Sequence, residues 1–184
     1  MTDDERVTGD GHWIVIDGRR WRATDPNLDP RFRSELVAEL MQARRDVGAA
    51  RSEAAVKAAR RRVQRAKVAL GERGEPWWES TPSGRRARYA AVTTALADHR
   101  APGGTICPSD VARAVGGAGW RRQLDAVREV ARDLARAGEV DVVQRGEVVD
   151  PDGPWRGPVR IRRREGAGGI SPAVGGSAPA AAPS

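Results

Sequence analysis

The chain has 184 residues, a formal net charge of +7 and one cysteine, Cys107. A lone thiol excludes an intramolecular disulfide and a cysteine-rich zinc site. No apolar run reaches the roughly 18 to 20 residues of a membrane span, and Met1–Asp10 is acidic and polar, unlike a secretory signal. A cytoplasmic protein without membrane association is expected.

The positive surplus is arginine, since lysine occurs only as Lys57 and Lys67. Such a surplus fits a polyanionic partner such as nucleic acid. The competing reading is a composition rich in Arg, Ala, Gly and Val imposed by a high-GC coding sequence. Eight aromatics, six of them Trp, leave any core to rest on Val, Leu, Ala and a few indole anchors. Breaks in composition divide the chain into a domain at 12–79, a second at 84–164, and a disordered tail of Gly, Ala, Pro and Ser at 165–184.

Residues 2–11 form a polar, mobile lead. His12-Trp-Ile-Val-Ile16 alternates into Asp17-Gly18, a type I′ turn signal, and Arg19-Arg-Trp-Arg-Ala23 returns. The reading is a β-hairpin with Trp13 and Trp21 near each other and Arg19, Arg20 and Arg22 on its rim. A hairpin alone is marginal in water, so it must dock on something.

Asp29-Pro30 reads as N-cap and first helical residue, and Phe32, Leu36, Val37, Leu40, Met41 and Val47 supply an apolar face up to Gly48. Ser52 caps a second helix in which Val56, Ala59, Val63, Ala66 and Leu70 step by threes and fours. The short connection makes the two antiparallel neighbours. Arg60, Arg61, Arg62, Arg65 and Lys67 fall mostly outside that stripe, either as a solvated face or as a nucleic-acid contact. Trp77-Trp78 lies among Gly74, Pro76 and Pro82, where it seals a core or stacks on a base.

Helical pattern resumes over 85–100 with Tyr89, Val92 and Leu96 inward, and Ala101-Pro-Gly-Gly104 ends it. Thr105-Ile-Cys107 is a short strand. Pro108-Ser-Asp110 starts a helix with Val111, Ala112 and Val115 facing in, and Gly116-Gly-Ala-Gly119 turns the chain. The longest element follows from Gly119 to Gly138, where Trp120, Leu124, Val127, Ala131 and Leu134 form one stripe and Gly138 terminates it. Arg121, Arg128, Arg132 and Arg136 gather on one flank, interrupted by Asp125. Val140, Val142 and Val143 then make a strand, Arg145-Gly146 a tight turn and Glu147–Asp150 a return. After the Asp150-Pro-Asp-Gly-Pro154 loop, Val159 and Ile161 alternate with Arg160, Arg162 and Arg164. Sequence leaves the strand pairing open.

The expected fold is mainly α with small β elements: a β-hairpin and an antiparallel helix pair, then a winged helix-turn-helix. The run Ile106-Cys-Pro-Ser-Asp-Val-Ala-Arg-Ala, then Trp120-Arg, Val127-Arg, Gly138, Val149-Asp-Pro and Gly157-Pro-Val-Arg-Ile-Arg resembles a bacterial domain family of unknown function, numbered thirty-two fifty-three. The resemblance spans roughly 88–163 and implies a winged-helix-like fold with no assigned activity. His12–Glu79, with Trp13-Ile-Val-Ile-Asp-Gly-Arg-Arg-Trp-Arg and Gly71-Glu-Arg-Gly-Glu-Pro-Trp-Trp-Glu, resembles small bacterial proteins labelled Tol-type biopolymer transporters. That label implies a membrane anchor or a secretion route, and the sequence shows neither.

Catalytic chemistry is not expected. His12 and His99 lack a nucleophile or ligand spacing, Cys107 lacks a base, and Gly116-Gly-Ala-Gly119 lacks the Lys-Ser/Thr of a phosphate loop. Asp150 and Asp152 read as a turn. No cofactor and no metal is anticipated. The expected activity is non-enzymatic binding of nucleic acid, duplex DNA, by Arg121, Arg122 and Gln123 near base edges, Arg128 and Arg132 along the helix, and Arg145, Arg160, Arg162 and Arg164 on the wing. A protein partner could also dock on the N-terminal helix pair. The alternative is a protein-interaction module on the same scaffold, with arginines neutralised within the helix by the pairs Arg121–Asp125, Asp125–Arg128, Glu129–Arg132 and Asp133–Arg136. Oligomeric state is not encoded legibly.

Overall fold

Residues 7–164 are those the computed structural model describes; the tail expected at 165–184 lies outside the described residues. Strands β1 (Trp13–Ile16) and β2 (Arg19–Arg22) pair antiparallel about Asp17 and Gly18, whose φ angles of 51° and 74° make the expected type I′ turn. Their register sets Trp13 opposite Arg22 and Trp21 opposite Ile14. The two indoles therefore stand on opposite faces, because cross-strand partners share a face and neighbours along a strand alternate. Of the lead expected to be mobile, residues 2–6 lie outside the described residues, whereas Val7 bridges to Ile14 and Thr8 N donates to Trp13 O at 2.8 Å.

Helix α1 (Pro30–Ala49) starts where Asp29 accepts from Arg31 N at 2.9 Å, and α2 (Glu53–Ala69) where Ser52 accepts from Ala55 N at 3.2 Å. Both caps satisfy backbone donors that the first turn cannot. The face of α1 differs from the apolar count. Phe32, Leu36, Leu40 and Ala43 are buried, but so is Glu39, while Val37 and Met41 are exposed. Arg62 on α2 explains the exchange, donating through Nε and Nη2 to the two Glu39 carboxylate oxygens at 2.8 and 3.0 Å and through Nη1 to Asp46. A buried carboxylate is tolerable when paired in this way. Burial by itself would lower the Arg62 pKa, yet the hydrogen bonds and charges of Glu39 and Asp46 outweigh it and raise the value.

Helix α3 (Pro82–Arg100) is the element most others touch: it packs on α1, α2, α4 (Pro108–Gly116), α5 (Leu124–Arg136) and β5 (Arg160–Arg163). Residues 91–97 are all buried. Thr93 and Thr94 accordingly return their hydroxyls to carbonyls one turn back, Thr93 to Tyr89 O at 2.7 Å and Thr94 to Ala90 O at 2.9 Å. Strands β3 (Val140–Gln144), β4 (Glu147–Val148) and β5 form an antiparallel sheet in the order β4-β3-β5. Ile106 adds a two-bond bridge to Ile161, each bond 2.8 Å. The buried side chains form a single cluster running from Leu28 and Leu36, through Val92 and Leu96, to Val127, Val142 and Ile161.

Polar clasps fasten the first helices to the rest. Arg100 grips Glu35 of α1 with Nε and Nη2 at 2.8 and 3.0 Å, and its Nη1 reaches Asp110 at 3.1 Å and Thr105 O at 3.2 Å. Asp110 in turn accepts from Cys107 N at 3.0 Å and so fixes the start of α4. Arg88 donates to buried Asp25 at 2.7 Å, and Arg65 pairs with Glu139.

Candidate nucleic-acid interface

The expected long helix from Gly119 is divided. Gly117–Gln123 winds as a 3-10 segment and only Leu124–Arg136 is α-helical. Gly117, at φ 52°, enters that segment in a conformation few side chains tolerate. Trp120 still packs against the core cluster, so the apolar spacing reports burial although the winding is tighter. Gly138, at φ 73°, ends α5 as its position suggests.

The tighter winding changes the charge balance. Arg121 and Arg122 are exposed, and neither meets Asp125; the expected Arg121–Asp125 pair, which needs helical spacing, does not form among the described residues. The guanidinium of Arg121 instead lies 4.6 Å from the Trp120 ring centroid, and that of Arg113 on α4 lies 4.5 Å from the same ring. Arg113 and Arg121 thus form a cationic pair on one indole, with exposed Arg122 next in the chain, and none of the three has a carboxylate partner among the described residues. Sequence reading overlooked Arg113; its signal is the Trp seven residues on, across the glycine turn.

Other expected contact residues are engaged inward. The Gln123 amide oxygen accepts from the Tyr89 hydroxyl, whose pKa burial raises and which therefore stays a donor. Arg128 donates to Trp155 O at 3.1 Å, and Arg132 to Gly153 O at 2.9 Å and to Pro151 O. Both guanidiniums lie over the buried Trp155 ring, at 5.8 and 3.9 Å, and Trp155 Nε1 donates to Asp150 O at 2.9 Å. Asp152 N to Asp150 Oδ1 at 2.9 Å confirms a turn between the two acids. Three members of the expected stripe, Arg128, Arg132 and Arg136, thus fasten the 149–157 loop, while Arg121 stands apart on Trp120. The outward side of α5 carries Asp125, Glu129 and Asp133 at four-residue spacing, with Arg132 on Glu129 at 3.5 Å and Arg136 on Asp133 at 3.1 Å.

On the sheet, Arg162 and Arg164 share Asp141 at 3.5 and 2.7 Å. Arg163 pairs with Asp98, and burial, followed by the charges of Arg65, Arg62 and Arg61, lowers its pKa. Arg160 donates to Thr105 Oγ1 at 2.9 Å and remains exposed. Arg145, at φ 53° in the second type I′ turn, and Arg156 are exposed and lack a carboxylate partner among the described residues. Leu124, Asp125 and Arg128 of α5 share one open groove with Gly157 and Pro158, so the loop and the start of α5 lie side by side.

Residues 86–164 match a family described as "Protein of unknown function (DUF3253)". The match runs from Arg86 in α3 through β5 and leaves the hairpin, α1, α2 and the first turn of α3 outside it. No curated protein matches the chain. Nothing in these comparisons supports the Tol-type resemblance of the N-terminal half. Among the described residues, no helix is long and apolar enough to cross a membrane.

Proposed function

We propose that residues 82–164 form a winged helix-turn-helix that binds duplex DNA without catalysis, in the cytoplasm. The order α3, the Ile106 bridge, α4, α5 and an antiparallel sheet supports that reading of the fold. The observation that carries the function is the pair Arg113 and Arg121 on Trp120, with exposed Arg122 beside it, which meets no carboxylate among the described residues and stands at the leading end of α5. In this reading α5 approaches the duplex tip first rather than lying along the groove. Its outward carboxylates would repel phosphate along its length. Arg145, Arg156 and Arg160 then serve flanking phosphates. Arg128, Arg132 and Gln123 shape the site from within, and Arg162 and Arg164 contribute less because Asp141 offsets them.

Fluorescence anisotropy on a random 20-base-pair duplex at two salt concentrations tests this. Arg121→Ala and Arg113→Ala should each reduce the magnitude of the log-log salt slope by about one, as loss of one phosphate contact requires. Arg162→Ala should change it by well under one. Undetectable duplex binding near ~50 mM salt, where such contacts are strongest, overturns the reading.

The Asp125, Glu129 and Asp133 stripe favours a second reading, in which this face of α5 docks a basic protein surface. A partner whose binding weakens on Glu129→Lys and is indifferent to Arg121→Ala would support it.

A further inference from the structure

The hairpin joins the body mainly near its base, through Trp77 Nε1 to Ala23 O at 3.2 Å, Arg22 Nη1 to Gly74 O at 2.8 Å, Asp25 N to Leu70 O at 3.0 Å and the stacking of His12 on Trp78, ring centroids 3.8 Å apart. Its register puts Ile14, Ile16, Arg19 and Trp21 on one face. A concave groove of about 500 Å³ lies there, walled by Val7, Ile14, Ile16, Ala23 and Pro26 and reaching Arg33 of α1. Val37 and Met41 follow Arg33 by one and two turns on the same side of α1. Ile16 and Trp21 are 40% and 42% exposed, and Val37 and Met41 are 36% and 41% exposed. Aliphatic walls and large exposed side chains in one neighbourhood mark a binding surface rather than scattered surface residues.

Charge narrows the occupant. The cations around this surface are Arg19 and Lys67, both within cation–π reach of Trp21, Arg33 at the groove, and Arg44, whose Nη1 lies 3.9 Å from Met41 Sδ. Among the described residues, the acids near these groups along the chain include Asp10, held by Thr8 and His12 N, Asp17 in the turn, Asp29, held by Arg31 N, and Glu72, which is paired with Lys67 at 3.6 Å. We propose that this groove receives an amphipathic polypeptide segment of a partner protein, with large apolar side chains flanked by Asp or Glu. Aliphatic walls hold those side chains, and Arg19 and Arg33 meet the carboxylates. Nucleobases fit it poorly, because Arg19 and Lys67 already lie over the Trp21 ring and the walls offer little to base edges. A bilayer surface presses on convex tips, whereas this surface is concave. The groove shares no residue with the duplex-binding group, so either proposal stands without the other.

The full-length chain should be used to select from a random dodecapeptide library displayed on phage, and enriched peptides titrated by fluorescence polarisation. Enriched sequences are expected to combine Leu, Ile, Phe or Trp with Asp or Glu. Ile16→Asp should weaken them about tenfold, Arg33→Glu by a similar factor, and Arg121→Ala by less than about twofold. Val37→Asp, on α1, provides the same reading should the hairpin variant misfold. An unenriched library, enriched basic sequences, or binding that survives both aspartate variants overturns the proposal. So does an Ile16-dependent interaction with oligothymidine or with phosphatidylserine vesicles in place of the peptides.

Discussion

Arg62 shows how one side chain fixes two others. It holds both oxygens of Glu39, a residue 1% exposed in the middle of the α1–α2 contact, and it also reaches Asp46. Truncating it strands a buried carboxylate, which costs about 3 kcal/mol. Arg62→Ala should therefore lower the melting temperature by roughly 10 °C for a chain of this size, measured by calorimetry or circular dichroism. Glu39→Gln should cost less, because an amide needs no neutralising charge. None of this is legible at the residue scale in the sequence. Glu39 sits between Leu36 and Leu40 as any surface acid would, and its partner lies 23 positions away on another helix.

Elements show which features are local and which are not. Helix α3 begins where Thr81 accepts from Gly84 N at 3.1 Å while donating its hydroxyl hydrogen to Glu75, whose Oε2 also accepts from Thr81 N at 2.8 Å. Those backbone and side-chain hydrogen bonds from Thr81 hold the Glu75 pKa below its ordinary 4.5. A depressed carboxylate stabilises the fold above its unfolded pKa and loses that contribution as pH falls through the folded value. The melting temperature of the natural chain should thus approach that of Glu75→Gln as pH falls below about 4.5, with the two clearly separated at neutral pH. Thr81→Ala should cost about 1 kcal/mol at neutral pH, the usual worth of an N-cap. Caps at Asp29, Ser52 and Gly138, and the Asp17-Gly18 turn, could be read directly, because their chemistry is complete within three or four residues. The tasks of Arg128 and Arg132 could not, since they bind backbone carbonyls 19 to 29 residues away and a carbonyl leaves no mark in a sequence. The 3-10 winding of Gly117–Gln123 was hidden for a different reason: Trp120 faces the core in either geometry, so periodicity does not distinguish them. Trp155→Ala should release the 149–157 loop, seen as protease cleavage within it, while α5 keeps its far-ultraviolet helical signal.

At the scale of the whole molecule, the buried cluster runs without interruption from Leu28 to Ile161. From Arg86 on, helix α3 belongs to the matched stretch at 86–164, yet part of its apolar surface is covered by α1 and α2, and its last residue, Arg100, is clasped by Glu35. Expressed alone, residues 86–164 should give a poorly dispersed amide spectrum and no cooperative melt, whereas residues 7–164 should unfold in one transition. A well-folded isolated 86–164 fragment would refute this. If that fragment fails to fold, as expected, the matched stretch is no independent cassette: a relocated copy should be stable only with α1 and α2, or with another pair of rods that offers the leucines of α1 and the alanines of α2 to lean against.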